Sequence, residues 1–461
     1  MLGLIVILMI EYLHYPGEYE VLQGLISNVL ELKMVSKVQV DCVGDDRVKS
    51  DWSFERPIFA LLLCYVVFSI FSIAWGNFFI DAAIILALIE SVSKRSALTA
   101  WGNIKEEKVA ALMLLYLGIL SLSYFMNSRD FSGGAMIWNV FYYMMPSYFL
   151  GKIYIHSEKR KWTFLLVLAI TASISACYSF WQAITTVSRV PGFIDLLELA
   201  GFLCVVSPAM LVVSLHKPSK WFVRVLGSAI FAMSMGSLIL NGTRGAWVAV
   251  FIICALVFLY NILTQKNYRW VHLLALVLVG TVLTFVLSYS PMAKSRIENM
   301  LRIVVSMQYQ ETSLGARLAM WKSAWDMFCD SPLLGVGIGN YYSQYIENYA
   351  NADVVIKYYG KIYDQWREQR HPHNSYLLLM AEAGIVGLLC YLSLLLFVLR
   401  QYLLRIFWQK EDVFWPLLGA SILGVYLLMS LTENVIFGMK QYNQLLWLVI
   451  GVAWGKGGQR P

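Results

Sequence analysis

The sequence predicts an all-α polytopic membrane protein, and three observations support that fold class. Hydrophobic residues make up 59% of the 461 positions and charged residues only 14%, with a mean hydropathy of +0.62, whereas soluble domains are about a quarter charged. Apolar runs near the length that crosses a bilayer, about 20 residues, recur along the chain. The strict alternation of a membrane β-barrel is absent.

Twelve segments are predicted to span the membrane as helices. Their limits are 57–75, 77–92, 109–125, 135–155, 162–184, 193–215, 221–240, 245–264, 270–290, 375–399, 415–431 and 436–455. They divide the chain into an amino-terminal extension at 1–55, spans 1 to 9 within 56–290, a polar loop domain at 291–374, and spans 10 to 12 within 375–461.

The distribution of Lys and Arg predicts how these spans are oriented. With the amino terminus inside, the five short inner loops hold sixteen Lys and Arg residues and the five short outer loops hold three. Cytoplasmic loops collect positive charge, so both termini are expected inside and the long segment 291–374 outside. Of the seven cysteines only Cys329 is predicted to face outward, which leaves no pair for an outer disulfide.

The outer segment is predicted to contain one amphipathic helix and one tight turn. The helix is indicated by apolar residues at helical spacing and should end near Asp330-Ser331-Pro332. Its stripe, expected on the membrane interface or on the bundle of spans, consists of Leu318, Trp321, Trp325 and Phe328. The glycine-punctuated run Leu333 to Asn340 lacks the preceding strand of a dinucleotide site, so it predicts a tight turn packed against the bundle.

Three arginines on the outer side form a candidate anion site, namely Arg189 and Arg244, each alone in a short outer loop, and Arg317, which opens the amphipathic helix. The topology rule depletes this side of basic residues, so those that remain need an explanation. Arg244 directly precedes a predicted helix, whose amino terminus offers free N–H groups and a positive dipole end. Guanidinium groups also bind phosphate in a bidentate way. For any single arginine the alternative is contact with lipid headgroups.

The sequence Arg370-His371-Pro372-His373-Asn374-Ser375 stands where the outer segment re-enters the membrane domain. Histidine can accept or donate a proton near neutral pH. His373 is singled out because Asn374 is expected to cap the next helix and hold the backbone rigid. The alternative for either histidine is a solvated loop residue without a chemical role. A zinc site is not predicted, because no outward cluster of Cys and His supplies three ligands.

Three acids near the outer ends of spans are further candidates, namely Asp195, Glu198 and Glu382, because acids within spans are often functional. Asp195 and Glu198 share one helical face and are expected to orient Arg189 or Arg244, with acid–base catalysis as the alternative. Tyr376 is a supporting candidate, since its ring could pack against a sugar or belong to an interfacial aromatic belt.

Three motifs together resemble the O-antigen ligase family of bacterial membrane proteins. They are His373-Asn374 followed after nine residues by Gly384-Ile385-Val386-Gly387, the stretch Thr243-Arg244-Gly245-Ala246-Trp247, and Gly315-Ala316-Arg317 through Trp321 to Pro332 and the run ending at Asn340. The resemblance is concentrated in residues 185–390. The first 55 residues match no part of that pattern.

The resemblance implies a fold of the GT-C type and a metal-independent, inverting glycosyltransferase without a cofactor. Such enzymes transfer O-antigen glycan from undecaprenyl pyrophosphate to a sugar hydroxyl of lipid A core, which completes lipopolysaccharide at the periplasmic face of the bacterial inner membrane. The expected partners are therefore this donor, this acceptor and membrane lipid, and not nucleic acid.

The resemblance also implies roles for single residues. By position, His373 resembles the catalytic histidine, and Arg189 and Arg317 resemble the arginines that hold the donor pyrophosphate. Arg244 matches the basic residue after the seventh span. The expected supporting residues are His371, Asn374, Asp195, Glu198 and Tyr376.

Two alternatives stay open at this point. An O-antigen polymerase or a protein O-oligosaccharyltransferase would share the motifs, although polymerases tend to have two large periplasmic loops and this chain has one. A transporter of an anionic lipid or solute belongs to another class. Transporters usually show internal repeats and helices broken near the midplane, whereas the unusual polar residues here lie at the outer ends of spans.

Overall fold

The computed structural model describes residues 54–93, 107–127, 132–185, 189–216, 221–264, 313–349, 371–409 and 412–454. All of them lie in one compact unit, residues 53–461. These parts of the chain form fourteen α-helices and no strand, which confirms the predicted all-α class. Most of the extension 1–55, the predicted span 270–290 and part of the segment 291–374 fall outside the described residues.

Eleven of the described helices form the bundle. They are α1 (Glu55–Phe68), α2 (Ile73–Ser93), α3 (Lys108–Asn127), α4 (Ser132–Tyr154), α5 (Glu158–Thr185), α6 (Leu196–His216), α7 (Trp221–Asn241), α8 (Arg244–Thr264), α11 (Ser375–Leu404), α12 (Phe414–Met429) and α14 (Lys440–Trp454). The other three are α9 (Ser313–Asp330), α10 (Tyr341–Gln344) and α13 (Val435–Gly438). Short π-helical turns continue α10 to Tyr349 and α11 to Gln409.

Seven helices of the described part are long and apolar enough to cross a membrane, so the chain is a multi-pass membrane protein. They are α2, α3, α5, α6, α7, α8 and the continuous segment Ser375–Trp408, with α12 as a shorter apolar helix. Each overlaps a predicted span, but the total of twelve stays a prediction. The first predicted span, 57–75, differs in its bounds, because a turn after Phe68 ends α1 and α2 begins at Ile73.

Polar side chains near the predicted inner ends of helices contact one another or a backbone carbonyl at one end of the bundle. Arg160 Nη2 lies 3.1 Å from Glu55 Oε2, and Lys152 contacts Glu107. Arg405 Nη1 donates to Trp454 O at 2.9 Å. These contacts place the starts of some helices beside the ends of others. This agrees with the prediction that successive spans cross the membrane in opposite directions.

Helix α9 packs on the bundle through a different face from the one predicted. Met320, Ala324 and Met327 are buried, and Ala324 and Met327 share a cluster with residues of α11. Trp325, a member of the predicted stripe, is 52% exposed. The most buried face of α9 is therefore not the predicted stripe, and the alternative place of that stripe at the membrane interface stays a prediction.

The glycine-rich run after α9 docks into a break in α11. Val336 N donates to Ala381 O at 2.9 Å, and Ile385 N donates to Pro332 O at 2.8 Å. Gly384 has φ +65°, inside the span of α11, and a Cβ there would overlap the carbonyl oxygen of Leu333. The prediction of a tight turn packed against the bundle is confirmed, and the break in α11 provides the polar backbone groups that hold it.

Replacing Gly384 should disrupt this docking. Gly384→Ala adds a Cβ that must sit in a left-handed conformation and overlaps backbone, so we expect a loss of at least about 2 kcal/mol of stability. The matched control is Gly118→Ala on α3, where an added Cβ meets nothing within 4 Å. Thermal unfolding of both variants in detergent measures the difference; equal melting temperatures would contradict this account of the break.

Candidate functional site

The loop 430–434, between α12 and α13, is hydrogen-bonded to the start of α11. The candidate residues lie at this end of the bundle. Ser375 N donates to Ser430 O at 2.8 Å. The hydroxyl of Ser375 donates to Glu433 O at 2.9 Å and accepts from Val435 N at 2.8 Å. Since Ser375 is the first residue of α11, these bonds fix the loop relative to the histidines that directly precede the helix.

Glu433 connects a predicted arginine to a predicted histidine. Its Oε1 lies 3.1 Å from Arg317 Nη2 and its Oε2 lies 3.2 Å from His373 Nδ1. Arg317 Nη1 also donates to Thr432 O at 2.9 Å. The side chain of Glu433 is only 8% exposed, whereas that of Arg317 is 30% exposed. We refer to Arg317, Glu433 and His373 as the bridged cluster.

The charge of Glu433 is set by its two partners. Burial opposes ionisation, but the hydrogen bond with His373 and the charge of Arg317 outweigh it and hold the pKa of Glu433 below its ordinary value. The carboxylate is therefore negative at neutral pH. A carboxylate at Nδ1 favours the tautomer with the proton on that atom, which gives the acceptor role to Nε2.

The backbone at His373 is held in an uncommon conformation. His373 has φ +50°, in the left-handed region that few non-glycine residues adopt. Asn374 Oδ1 accepts from Tyr376 N and Leu377 N, both at 3.0 Å, so the predicted helix cap is confirmed. On the other side, Trp321 Nε1 donates to Pro372 O at 2.7 Å. Such strain persists only where surrounding contacts fix it.

His371 is held neutral beside the bridged cluster. Burial is the main cause that lowers the pKa of His371 to about 4, and the neighbouring His373 adds to it. Its Nδ1 accepts from the backbone N–H of His373 at 3.4 Å, a role that requires an unprotonated nitrogen. The two rings lie edge to face, with centroids 4.6 Å apart. His371 thus supports the backbone of His373 and carries no charge at neutral pH.

The other two predicted arginines lie at the same end of the bundle. Arg189 Nε donates to Asn241 O at 3.0 Å, and its Nη2 donates to Thr243 Oγ1 at 3.1 Å. Arg244 is exposed at the first position of α8. A Cβ on the next residue, Gly245, would overlap Thr432 Oγ1, so the amino terminus of α8 touches the loop 430–434. Contacts through Thr243 and Thr432 therefore connect the loop of Arg189 and the start of α8 to the bridged cluster.

Two supporting residues have partners other than those predicted. The Glu198 carboxylate accepts from Gln441 N at 3.3 Å and Tyr442 N at 3.2 Å. It therefore caps the positive end of α14, which corrects the expectation that it orients an arginine. Tyr376 donates its hydroxyl to Leu427 O at 2.8 Å and ties α11 to α12, so that hydroxyl serves helix packing.

The structure shows backbone contacts for the remaining two predicted acids. Asp195 directly precedes α6, where its carbonyl accepts from Leu199 N at 3.0 Å, and its role stays a prediction. Glu382 is buried beside the break in α11 and accepts from Tyr341 N at 3.1 Å. Among the described residues, no group of three His, Cys, Asp or Glu side chains is placed to hold a metal ion.

Sequence reasoning missed Glu433 and the role of Trp321. Glu433 stands in the short polar interruption Thr432-Glu433-Asn434 between two predicted spans. Acids are common in outer loops, so only its position between two apolar segments marks it. The sequence predicts Trp321 as part of an apolar stripe, and nothing in it connects the indole N–H to a residue 51 positions away.

Comparison with known proteins gives a family match and two relatives. Residues 228–392 match the family model described as O-antigen ligase. The chain is 29% identical over 145 residues to a candidate polysaccharide ligase of Rickettsia conorii, covering 31% of this chain and 30% of that protein. It is 29% identical over 145 residues to a candidate polysaccharide ligase of Rickettsia felis, covering 31% of each protein. The match therefore spans less than a third of these relatives.

The resemblance predicted from the motifs is confirmed over residues 228–392. The family match begins later than the predicted 185, so Arg189 lies outside it, as does Glu433. Arg244, Arg317 and His373 lie inside. Together the comparisons support an activity of the ligase or polymerase type.

The lowered pKa of His371 predicts a pH-dependent stability. Between the unfolded value of about 6.5 and the folded value of about 4, the unfolded chain binds a proton that the folded chain does not. Stability should therefore fall by at most about 2 kcal/mol as pH decreases from about 7.5 to about 5. In His371→Asn, where Oδ1 can still accept from His373 N, this part of the dependence should disappear.

Thermal unfolding in detergent at both pH values, for the two proteins side by side, measures this. Parallel losses of melting temperature in wild type and His371→Asn would contradict a half-buried, neutral His371. The same measurement on a histidine variant at the opposite end of the bundle, His156→Asn, controls for the removal of a histidine.

Proposed function

We propose a function for this chain from the match of its residues 228–392 to the family model described as O-antigen ligase. The chain is proposed to transfer O-antigen glycan from undecaprenyl pyrophosphate to a sugar hydroxyl of lipid A core. The reaction would occur at the periplasmic face of the bacterial inner membrane, without metal and with inversion at the anomeric carbon.

The bridged cluster is the observation that supports this proposal best. It places a histidine with an oriented imidazole, an ionised carboxylate and a guanidinium group within hydrogen-bond distance of one another. A base held by a carboxylate through its other nitrogen is the arrangement by which many enzymes activate a hydroxyl. The left-handed turn at His373, fixed by Asn374 and Trp321, would keep this base in one position.

In the proposed reaction, the acceptor hydroxyl oxygen attacks the anomeric carbon of the donor glycan. The bond between that carbon and the pyrophosphate oxygen breaks, and the electron pair leaves with undecaprenyl pyrophosphate. The hydroxyl proton passes to Nε2 of His373, and the ionised Glu433 stabilises the imidazolium that forms. General base catalysis of this kind contributes about 10²-fold to 10⁴-fold.

The arginines would stabilise the negative charge on the leaving pyrophosphate. Arg189 and Arg244 flank the turn at 241–243, and the amino terminus of α8 adds N–H groups at the same place. Arg317 also has a structural role, because two of its nitrogens donate hydrogen bonds to Thr432 O and Glu433 Oε1. We propose that it orients Glu433 while its other donors face the pyrophosphate.

Removing the proposed base should abolish transfer. We expect His373→Ala to lose at least about 10²-fold in activity without a lower membrane level, because it removes a proton acceptor from a half-buried loop side chain outside the hydrophobic core. The matched control is His156→Ala, which removes a histidine at the other end of the bundle and should stay active. Transfer from purified lipid-linked glycan to lipid A core measures both.

Wild-type transfer by His373→Ala would overturn the proposed base. The same assay offers a second donor molecule as the acceptor. Chain extension in place of transfer to lipid A core would assign polymerase activity, and transfer to a protein would assign protein glycosylation.

A lysine cannot replace the forked contacts of Arg317. Arg317→Lys keeps the positive charge but offers one nitrogen in place of two, so we expect loss of most activity. Arg160→Lys is a closely matched control, because Arg160 also binds a carbonyl and a carboxylate through two nitrogens, at the opposite end of the bundle. Full transfer by Arg317→Lys would mean that the fork is not needed.

A further inference from the structure

One face of α9 presents a row of aromatic side chains that starts near the bridged cluster and continues along the helix. Trp321, Trp325 and Phe328 follow Arg317 at intervals of four, eight and eleven residues. At about 100° per residue they fall on the same side of the helix as Arg317, and they extend about 16 Å along it. We refer to these three side chains as the α9 aromatic face.

This face is rotated by roughly a quarter turn from the face that packs on the bundle. Met320, Ala324 and Met327 are buried against α11 and its neighbours, whereas Trp325 is 52% exposed. The rings of Trp325 and Phe328 contact each other, with centroids 5.5 Å apart. The exposed ring is therefore supported from one side and open on another.

The α9 aromatic face is fixed in position relative to His373. Trp321 donates to Pro372 O at 2.7 Å, one residue before His373. Tyr341 donates its hydroxyl to Met320 O at 2.9 Å, and Ser323 donates to Tyr349 O at 2.9 Å. The face thus begins at the site proposed for transfer and leads away from it as a rigid surface.

We propose that the α9 aromatic face binds sugar rings of the glycan whose reacting end lies at the bridged cluster. This inference rests on the proposed function. Sugar rings present C–H bonds made positive by neighbouring oxygens, and these suit the negative face of an indole ring. Lys322 and Asp326, which pair at 2.6 Å beside Trp325, supply charged hydrogen-bonding groups for sugar hydroxyls.

Continuity with the proposed centre favours a glycan over lipid as the occupant. Trp321 donates a hydrogen bond to the turn that carries His373. Trp325 lies one helical turn further along the same face, so this face is continuous from the site to Trp325. A glycan bound for transfer at His373 must continue outward from that point. Whether it belongs to the donor or to the acceptor is decided by the two arms of the experiment.

The experiment measures transfer with substrates of different glycan length. In one arm the donor carries one or several repeat units, and in the other the acceptor core is complete or truncated. Trp325→Ala should raise KM about fivefold to tenfold for the longer substrate in one of the arms, which corresponds to the loss of one aromatic contact. It should change neither kcat nor the KM of the shortened substrate.

Two further variants separate a glycan from lipid. Trp325→Phe keeps an aromatic ring and should retain most of the affinity, whereas Trp325→Leu keeps only apolar bulk and should behave like Trp325→Ala. The control is Trp221→Ala, which removes a tryptophan that is 74% exposed on α7 and should leave KM unchanged.

Several results would overturn the inference. Wild-type KM values for Trp325→Leu would assign the face to lipid, and equal effects on long and shortened substrates would assign Trp325 a structural role. If His373→Ala is inactive while every Trp325 variant matches wild type, the glycan surface fails and the proposed function stands. If His373→Ala is active, the proposed function itself fails.

Discussion

The carboxylate of Glu433 is the contact on which the arrangement of the site depends. One oxygen binds a guanidinium group from the outer segment and the other binds an imidazole from the start of α11. A buried carboxylate would be costly without these partners, and each partner in turn is oriented by it. The loop 430–434 also touches the first turn of α8 through Thr432. Four separate stretches of the chain therefore meet around one negative charge.

A break in a transmembrane helix has a defined structural use here. Glycine-broken helices are one mark of transporters, and α11 is broken at Gly384. The backbone groups released by the break are bound by Val336, Gly337 and the carbonyls of Pro332 and Leu333. Because the chain itself fills the break, the break attaches the outer segment to α11. It therefore does not favour the transporter alternative.

Local chemistry in the sequence predicted much of the fold and part of the site. The spans followed from apolar length, and the cap at Asn374 followed from its residue type just before a helix. The buried face of α9 could not be predicted, because Met320 and Ala324 are no more apolar than Trp321 and Trp325. Which face packs depends on the shape of α11, a partner distant in the sequence. Glu433 was missed for a related reason, since its importance comes from two residues that folding brings to it.

The break also divides α11 mechanically. Residues 375–383 form a stub of about 13 Å that begins next to His373, and Gly384 separates it from the rest of the helix. Backbone hydrogen bonds from the outer segment attach to both sides of that joint. The short stub thus links the outer segment to the imidazole, whereas the longer half of α11 packs against α3 and α12.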